Sequence, residues 1–177
     1  MSTTAKMKEI LTEALVLDVE DSAEFDKIVS LYTKELGRVS AKARGARKIT
    51  SKLNGHLQPL DFTRARLMGE NNFQITDALA FKKMERTPES LAAVKFVKDM
   101  TFELQPDPDL WNLLKKNKKF SGKDLLKVLG FDPVYSECAV CAAKKPEFFS
   151  KTEQIFLCRR CSLKIPKNEV ILIHATR

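Results

Sequence analysis

The chain contains four cysteines, and their spacing restricts its architecture more than any other feature. They form two pairs, Cys138-x2-Cys141 and Cys158-x2-Cys161, with sixteen residues between the pairs. That interval lies in the range of a four-thiolate zinc site. Two residues between cysteines make a tight knuckle that aims both sulfurs at one ion, and two knuckles complete a tetrahedron. Between the pairs, Phe148-Phe149 and Ile155-Phe156-Leu157 read as two short strands of a zinc ribbon. Two structural disulfides are a competing reading, but they need an oxidising compartment. The stretch Met1-Ser2-Thr3-Thr4-Ala5-Lys6-Met7-Lys8 lacks the apolar core of a secretory signal. A redox pair needs only one C-x-x-C. An iron site with the same ligands fits the same spacing. With four protein ligands no coordination position stays open, so the expected zinc is structural and not catalytic. His174, thirteen residues past Cys161, reads as a strand or surface residue.

Upstream, the clearest pattern is alternation. Val39, Ala41 and Ala43 alternate with Arg38, Ser40, Lys42 and Arg44. A period of two marks a half-buried strand, because successive side chains leave on opposite faces. One face is small and apolar; the other carries three cations and a serine. The basic run continues through Arg47, Lys48 and Lys52 in a loop between Gly45 and Gly55, and begins at Lys34, relieved only by Glu35. Further strands are expected at Ala14–Val19, Lys27–Thr33, Leu60–Met68 and Phe73–Leu79. The last two are separated by the turn-type cluster Gly69-Glu70-Asn71-Asn72. Five short strands in some 80 residues predict a small antiparallel sheet closed into a barrel, with the five-stranded OB type fitting the strand count. The acidic cluster Asp18, Glu20, Asp21, Glu24 and Asp26 lacks calcium-loop spacing and reads as a polar turn between strands. Tyr32 and Phe62 are the obvious aromatic candidates for base stacking in this half, with the core as the alternative place for either.

The middle reads as helices. Thr87-Pro88-Glu89 is a helix start: Thr caps, Pro suits the first position and Glu suits the positive end. Leu91, Val94, Phe96, Val97 and Met100 give it an apolar surface, and Pro106 and Pro108 end it. Asp107-Pro108 starts a second helix with Leu110, Trp111, Leu113 and Leu114. Ser121-x-x-Asp124 resembles a capping box for a third, ending at Gly130. Lys115, Lys116, Lys118, Lys119 and Lys123 form a second basic cluster, whose plain reading is a solvated surface.

The chain has 177 residues, 44% apolar and 31% charged, which is enough for packed cores and excludes wholesale disorder. No apolar run approaches the ~20 residues that span a bilayer, so a soluble cytoplasmic protein is expected. The net charge is +8, but residues 1–82 contribute only +2 of it, with 13 basic and 11 acidic side chains. Layout therefore matters more than the sum, and a one-sided basic strand makes nucleic acid the expected partner. There is no P-loop, dinucleotide fingerprint or G-x-S-x-G elbow. His56, one of two histidines, has no nucleophile nearby in sequence. A non-enzyme is expected.

Several stretches together resemble the bacterial RecO family of DNA repair proteins. They are Glu13–Leu17, then Asp26–Ser40 running on into Ala43–Lys48, then Ser51-Lys52-Leu53 with Leu57-Gln58-Pro59. Further on, Leu125-Leu126 through Leu129-Gly130-Phe131-Asp132-Pro133 and the first C-x-x-C are similar to the family's junction of helix and zinc site. The resemblance implies an N-terminal OB domain. It also implies binding of single- and double-stranded DNA, annealing of complementary strands, and help in loading recombinase. As partners it implies RecR and the acidic C-terminal tail of single-strand binding protein. That tail's site lies in the family's helical domain, which is compressed here between Asp107 and Gly130, and the family generally continues with more helix beyond the zinc site. The expectation is a short member, nucleoid-associated when on DNA.

The expected organisation is therefore α+β: an OB-type barrel over residues 1–82 with 1–11 as an extension, a helical segment over 83–135, and a zinc ribbon with a C-terminal strand over 136–177. The candidate DNA-binding residues are Lys34, Arg38, Lys42, Arg44, Arg47, Lys48 and Lys52; the candidate metal ligands are the four cysteines. The expected function is a mediator of DNA repair and recombination. The alternative is an interaction adaptor that docks acidic protein tails, with DNA binding secondary.

Overall fold

Strands β1 (Glu9–Ser22), β2 (Asp26–Thr33), β3 (Gly37–Ala43), β4 (Asp61–Met68) and β5 (Phe73–Lys83) form a closed barrel in a computed structural model that describes residues 8–22, 24–116 and 121–173. The strand order is β1-β2-β3-β5-β4, and β4 pairs back onto β1. All pairings are antiparallel except β3 with β5, which is parallel and only two residue pairs long, Ala41 with Phe73 and Lys42 with Gln74. The predicted strands are present. Residues 9–11, expected in an extension, belong to β1, because Glu9 to Leu11 pair with Met68 to Arg66. Residues 1–7 of that extension lie outside the described residues.

The barrel interior is filled by Ala14, Val16, Val29, Leu31, Val39, Ala41, Ala43, Ala65, Leu67 and Ile75. On β1, β2 and β4 the outer face is buried too. Leu15, Leu17, Tyr32 and Phe62 point out of the barrel into a second core. This explains why Ala14-Leu15-Val16-Leu17 is a continuous apolar run: a strand covered on both faces has no polar side to alternate with. β3 alternates because only its inner face meets a hydrophobic core.

The second core is supplied by α1 (Pro88–Met100), α2 (Pro108–Lys116) and α3 (Gly122–Val128), with Phe149 and Ile173 from the C-terminal segment. Thr87 caps α1 as expected, accepting from the Ser90 N–H at 3.2 Å with Pro88 at the first position. Leu91, expected on the apolar surface, is exposed; the buried face is Ser90, Ala93, Val94, Phe96 and Val97. Asp107 starts α2 by accepting from the N–H groups of Asp109 and Leu110. The expected capping box at α3 is not formed: Ser121 makes no side-chain cap bond. Gly130, at φ +88, ends that helix as expected. Tyr32 and Phe62 are both core residues. The Tyr32 hydroxyl accepts from the Asp107 N–H at 3.1 Å, and Phe62 meets Trp111 edge-on at 6.1 Å.

The C-terminal segment contains β6 (Phe148–Ser150), β7 (Ile155–Leu157), the short helix α4 (Arg159–Ser162) and β8 (Val170–Leu172). The three strands form one sheet in the order β7-β6-β8. Phe149, in its centre, reaches Phe96, Phe131 and Phe156 at 6.3, 4.9 and 5.1 Å and so ties this sheet to α1.

The acidic cluster is more than a turn. Asp18, Glu20 and Asp21 lie in β1, and the first two hold the Lys98 ammonium of α1 at 2.7 and 2.8 Å. Lys98 keeps the Asp18 carboxyl below its ordinary value despite partial burial, and the pair of acids raises Lys98 despite its own burial. Asp18 therefore adds stability that is complete above the usual carboxylate range and lost as pH falls through its lowered value. The share from Lys98 is kept until pH rises past the ordinary lysine range. Lys98→Met should lower stability by about 1 kcal/mol or less, evenly across neutral pH, and the deficit should vanish on acidification; urea midpoints against pH measure it.

Gly37 opens β3 at φ +70, and a Cβ there would stand 2.2 Å from the Gln105 carbonyl oxygen. The close approach lets the Leu104 N–H bond the Arg38 carbonyl at 2.9 Å, which runs the chain after α1 alongside β3. Gly37→Ala should cost at least about 1–2 kcal/mol from the left-handed backbone alone, read as a fall in the urea midpoint.

Candidate metal centre and cationic face

The first cysteine pair sits on a knuckle before β6. The Cys138 N–H bonds the Ala143 carbonyl at 2.9 Å and the Ala142 N–H bonds the Cys138 carbonyl at 2.8 Å, with Ala142 in the left-handed region at φ 55. The second pair opens and fills α4, where the Ser162 N–H bonds the Cys158 carbonyl at 3.0 Å. The knuckles are joined by the Ala139 N–H, which donates to the Phe156 carbonyl of β7 at 2.9 Å. All four sulfurs lie within 4.8 Å of one another. Cys138 and Cys161 are buried, Cys158 is half-buried and Cys141 is exposed.

The surroundings favour thiolates unequally. Burial opposes ionisation of Cys138, but the N–H groups of Cys158, Val140 and Cys141 outweigh it and hold that thiol at about 6. Cys161 is pushed up to about 12 by burial and the neighbouring sulfurs of Cys158, Cys141 and Cys138. Four sulfurs this close cannot all ionise unless a cation offsets them. A soft divalent ion does so, and an all-sulfur tetrahedral donor set suits one. The residues therefore fit a metal. His174, set aside as a ligand, lies outside the described residues.

The cationic residues are distributed over both ends of β3. Arg44, Arg47, Lys48 and Lys52 are all exposed, in the loop that follows this strand. That loop is held by the acidic cluster. Asp26 accepts from the Gly45 N–H at 2.8 Å and pairs with Lys42 at 3.0 Å, which together keep its carboxyl below the usual range. Asp21 pairs with Arg47 at 3.5 Å, and the Arg47 N–H donates to the Phe25 carbonyl at 3.0 Å. Lys34 sits in the turn before β3, roughly 20 Å from the loop by the rise of a seven-residue strand. Arg38 is mostly covered: its Nε donates to the Thr101 carbonyl at 2.9 Å and its guanidinium pairs with Glu103 at 3.6 Å. The seven candidates thus do not form one strip. Five of them gather at the loop end of β3, counting Lys42.

A groove of about 370 Å³ follows the seam between β3 and β5, lined by Ile28, Ser40, Lys42, Asn72, Phe73 and Leu104 among others. It lies where the barrel is closed by only two residue pairs. Phe25, part of a stretch read from sequence only as an acidic turn, is exposed beside Lys48, whose ammonium stands 5.5 Å from the ring centroid. A lone aromatic between two acids, Glu24 and Asp26, was the available signal. His56 is a structural residue here, its Nδ1 accepting from the Ala80 N–H at 3.3 Å. Of the second basic cluster, Lys115 is paired with Glu13 at 2.6 Å; Lys118 and Lys119 lie outside the described residues.

Comparison with known proteins places the barrel in a family. The family model described as recombination protein O, N terminal, matches residues 7–80, which is the barrel. "DNA repair protein RecO" of Pelotomaculum thermopropionicum is 32% identical over 88% of this chain and 69% of its own length. The chain belongs to the RecO family. RecO of Bacillus velezensis is 31% identical over 87% of this chain, and RecO of Bacillus subtilis is 29% identical over the same share; 69% of each is covered. The similarity extends well past the barrel into the helices and the cysteine segment. No helix of the described residues is long and apolar enough to cross a membrane.

The four-sulfur site should hold one metal ion per chain, measurable by elemental analysis of the pure protein. Cys161→Ser should lose it. Because the ligands must be deprotonated, acidification should release the ion from the unmodified protein. Substantially less than one ion per chain at neutral pH would refute the site.

Proposed function

We propose that this protein is a non-enzymatic mediator of DNA repair and recombination. In this reading it binds DNA through an OB-type barrel, anneals complementary single strands and helps load recombinase. The observation that carries the proposal is the cluster of Lys42, Arg44, Arg47, Lys48 and Lys52 at one end of β3, on a loop braced by Asp26 and Asp21. The barrel's strand order and five-strand closure agree with the OB type, whose strands 2 and 3 and adjoining loops receive oligonucleotides. The names of the relatives, DNA repair protein RecO, support the same class of work.

Phosphate contacts by these side chains release counterions and give binding that is independent of sequence and weakened by salt. Such binding neutralises two strands without enclosing their base edges, which is what annealing needs. Within the set, Arg44, Lys48 and Lys52 contact DNA directly, and Lys42 and Arg47, held by Asp26 and Asp21, brace the loop and add charge. Lys34 extends the surface at the far end of β3. Arg38 positions β3 against the end of α1 and contributes charge. Residues 1–82 act as the DNA-binding unit, 83–135 as the helical unit and 136–177 as a zinc ribbon whose single structural ion is held by Cys138, Cys141, Cys158 and Cys161. RecR and the single-strand binding protein tail are the protein partners in this reading. The working place is the cytoplasm, at the nucleoid.

Combined Arg44→Glu and Lys48→Glu should weaken DNA binding at least tenfold at moderate salt, flatten its salt dependence and slow annealing, with bound metal unchanged. Unaltered annealing would sink the site assignment. Binding of an acidic tail peptide without any DNA binding would favour the adaptor reading instead.

A further inference from the structure

Phe25 is an aromatic residue that none of the hydrophobic cores among the described residues takes up. It stands in the turn between β1 and β2 with 45% of its surface exposed, whereas Tyr32 and Phe62 are wholly buried. Among the described residues no second ring packs against it; its ring faces the Lys48 ammonium. Ile49, the next residue in the loop, is fully exposed. Leaving nearly half of a phenylalanine in water forfeits part of the stabilisation that burial would give, and packing among the described residues does not account for it.

Its position is nonetheless held. The Phe25 carbonyl accepts from Arg47, and the next residue, Asp26, accepts from Gly45 and pairs with Lys42. The chain at and just after the ring is thereby fastened to the loop that carries Arg44, Lys48 and Lys52. The result is a flat apolar face set among cations on a braced turn. Exposed Glu24 is the acidic neighbour on the same turn. Asp21 and Asp26 are engaged with Arg47 and Lys42.

An unpaired nucleobase is the ligand that matches both halves of this surface. Its π-face covers an aromatic ring, and the phosphates on either side need cations within a few ångströms. A base inside a duplex already has both faces stacked and offers neither to the protein. We infer that Phe25 is the stacking platform for an unpaired base of single-stranded nucleic acid, whose flanking phosphates are held by Arg44, Lys48 and Lys52. On binding, Lys48 leaves the ring for a phosphate and the base takes its place. The contact reads strandedness and not sequence, because every base has a π-face. This inference rests on the DNA-binding reading above and adds to it a preference for single strands.

The test uses the full chain with a labelled oligothymidine and a labelled duplex of equal length, titrated at several salt concentrations. Phe25→Ala should weaken single-strand binding about tenfold. It should leave duplex binding, the salt slope and the urea midpoint unchanged. Phe25→Trp should keep the affinity, and its added fluorescence should be quenched by the single strand but not by the duplex. Lys48→Ala should instead lower the salt slope on both ligands. Unchanged single-strand affinity in Phe25→Ala, or equal losses on single strand and duplex, would overturn the stacking role. If Arg44→Glu with Lys48→Glu still weakened binding in that case, the broader reading would survive. If the unmodified protein bound neither oligonucleotide, both would fall.

Discussion

Burial of the outer faces of β1, β2 and β4 is the constraint on which the rest of this structure depends. Leu15, Leu17, Tyr32 and Phe62 leave the barrel on its outside and need cover. Three helices and two residues of the C-terminal segment provide it. Tyr32 also fixes where α2 starts, since its hydroxyl receives the Asp107 N–H. Barrel, helices and cysteine segment therefore share one hydrophobic core across their junctions. Covering that side leaves the loop end of β3 and the turn before β2 in solvent. The cationic surface is exposed where it is because the apolar surface is satisfied elsewhere.

Charge organisation follows the same division of labour. Acidic residues on β1 and at the start of β2 act as internal struts. Asp18 and Glu20 hold α1 through Lys98, and Asp21 and Asp26 hold the basic loop through Arg47, Gly45 and Lys42. The near-neutral first half is thus not electrostatically bland. Asp18, Glu20, Asp21 and Asp26 brace the fold, and much of the positive charge is presented outward. A loop held in this way loses less freedom on binding than a floppy one, which leaves more of the contact energy for affinity.

The cysteine segment illustrates how little apolar surface can support a fold when other links assist. Among the described residues, only Cys138, Leu157 and Cys161 are buried in its own cluster. A core that small needs a staple. The four sulfurs provide a site for one, and Phe149 and Ile173 anchor the segment in the larger core. Gly122 marks how closely the parts approach, since a Cβ there would stand 2.4 Å from the Leu172 carbonyl oxygen.

Much of this was legible in the sequence because it depended on local rules. The period-two pattern of β3, the Thr87-Pro88 start of α1, the left-handed Gly130 and the two C-x2-C knuckles each follow from backbone geometry within a few residues. The count of short strands added the closed five-stranded barrel. Burial of both faces of β1 was not legible, because an apolar run reads the same whether the cover is a second sheet, a helix or another chain. The paired state of Arg38 and Lys42 was hidden for a related reason: their partners Thr101, Glu103 and Asp26 are brought near by chain reversals that no periodicity encodes. Phe25 escaped notice because neighbours in sequence suggested a polar turn, while its importance comes from Lys48 across the barrel end. The sequence by itself determined the inward face of β3, the caps at Thr87 and Gly130 and which sulfurs can share an ion. Only the tertiary structure decided which cations are used up inside the protein and which remain for a partner, because ion pairing depends on distances between segments far apart in the chain.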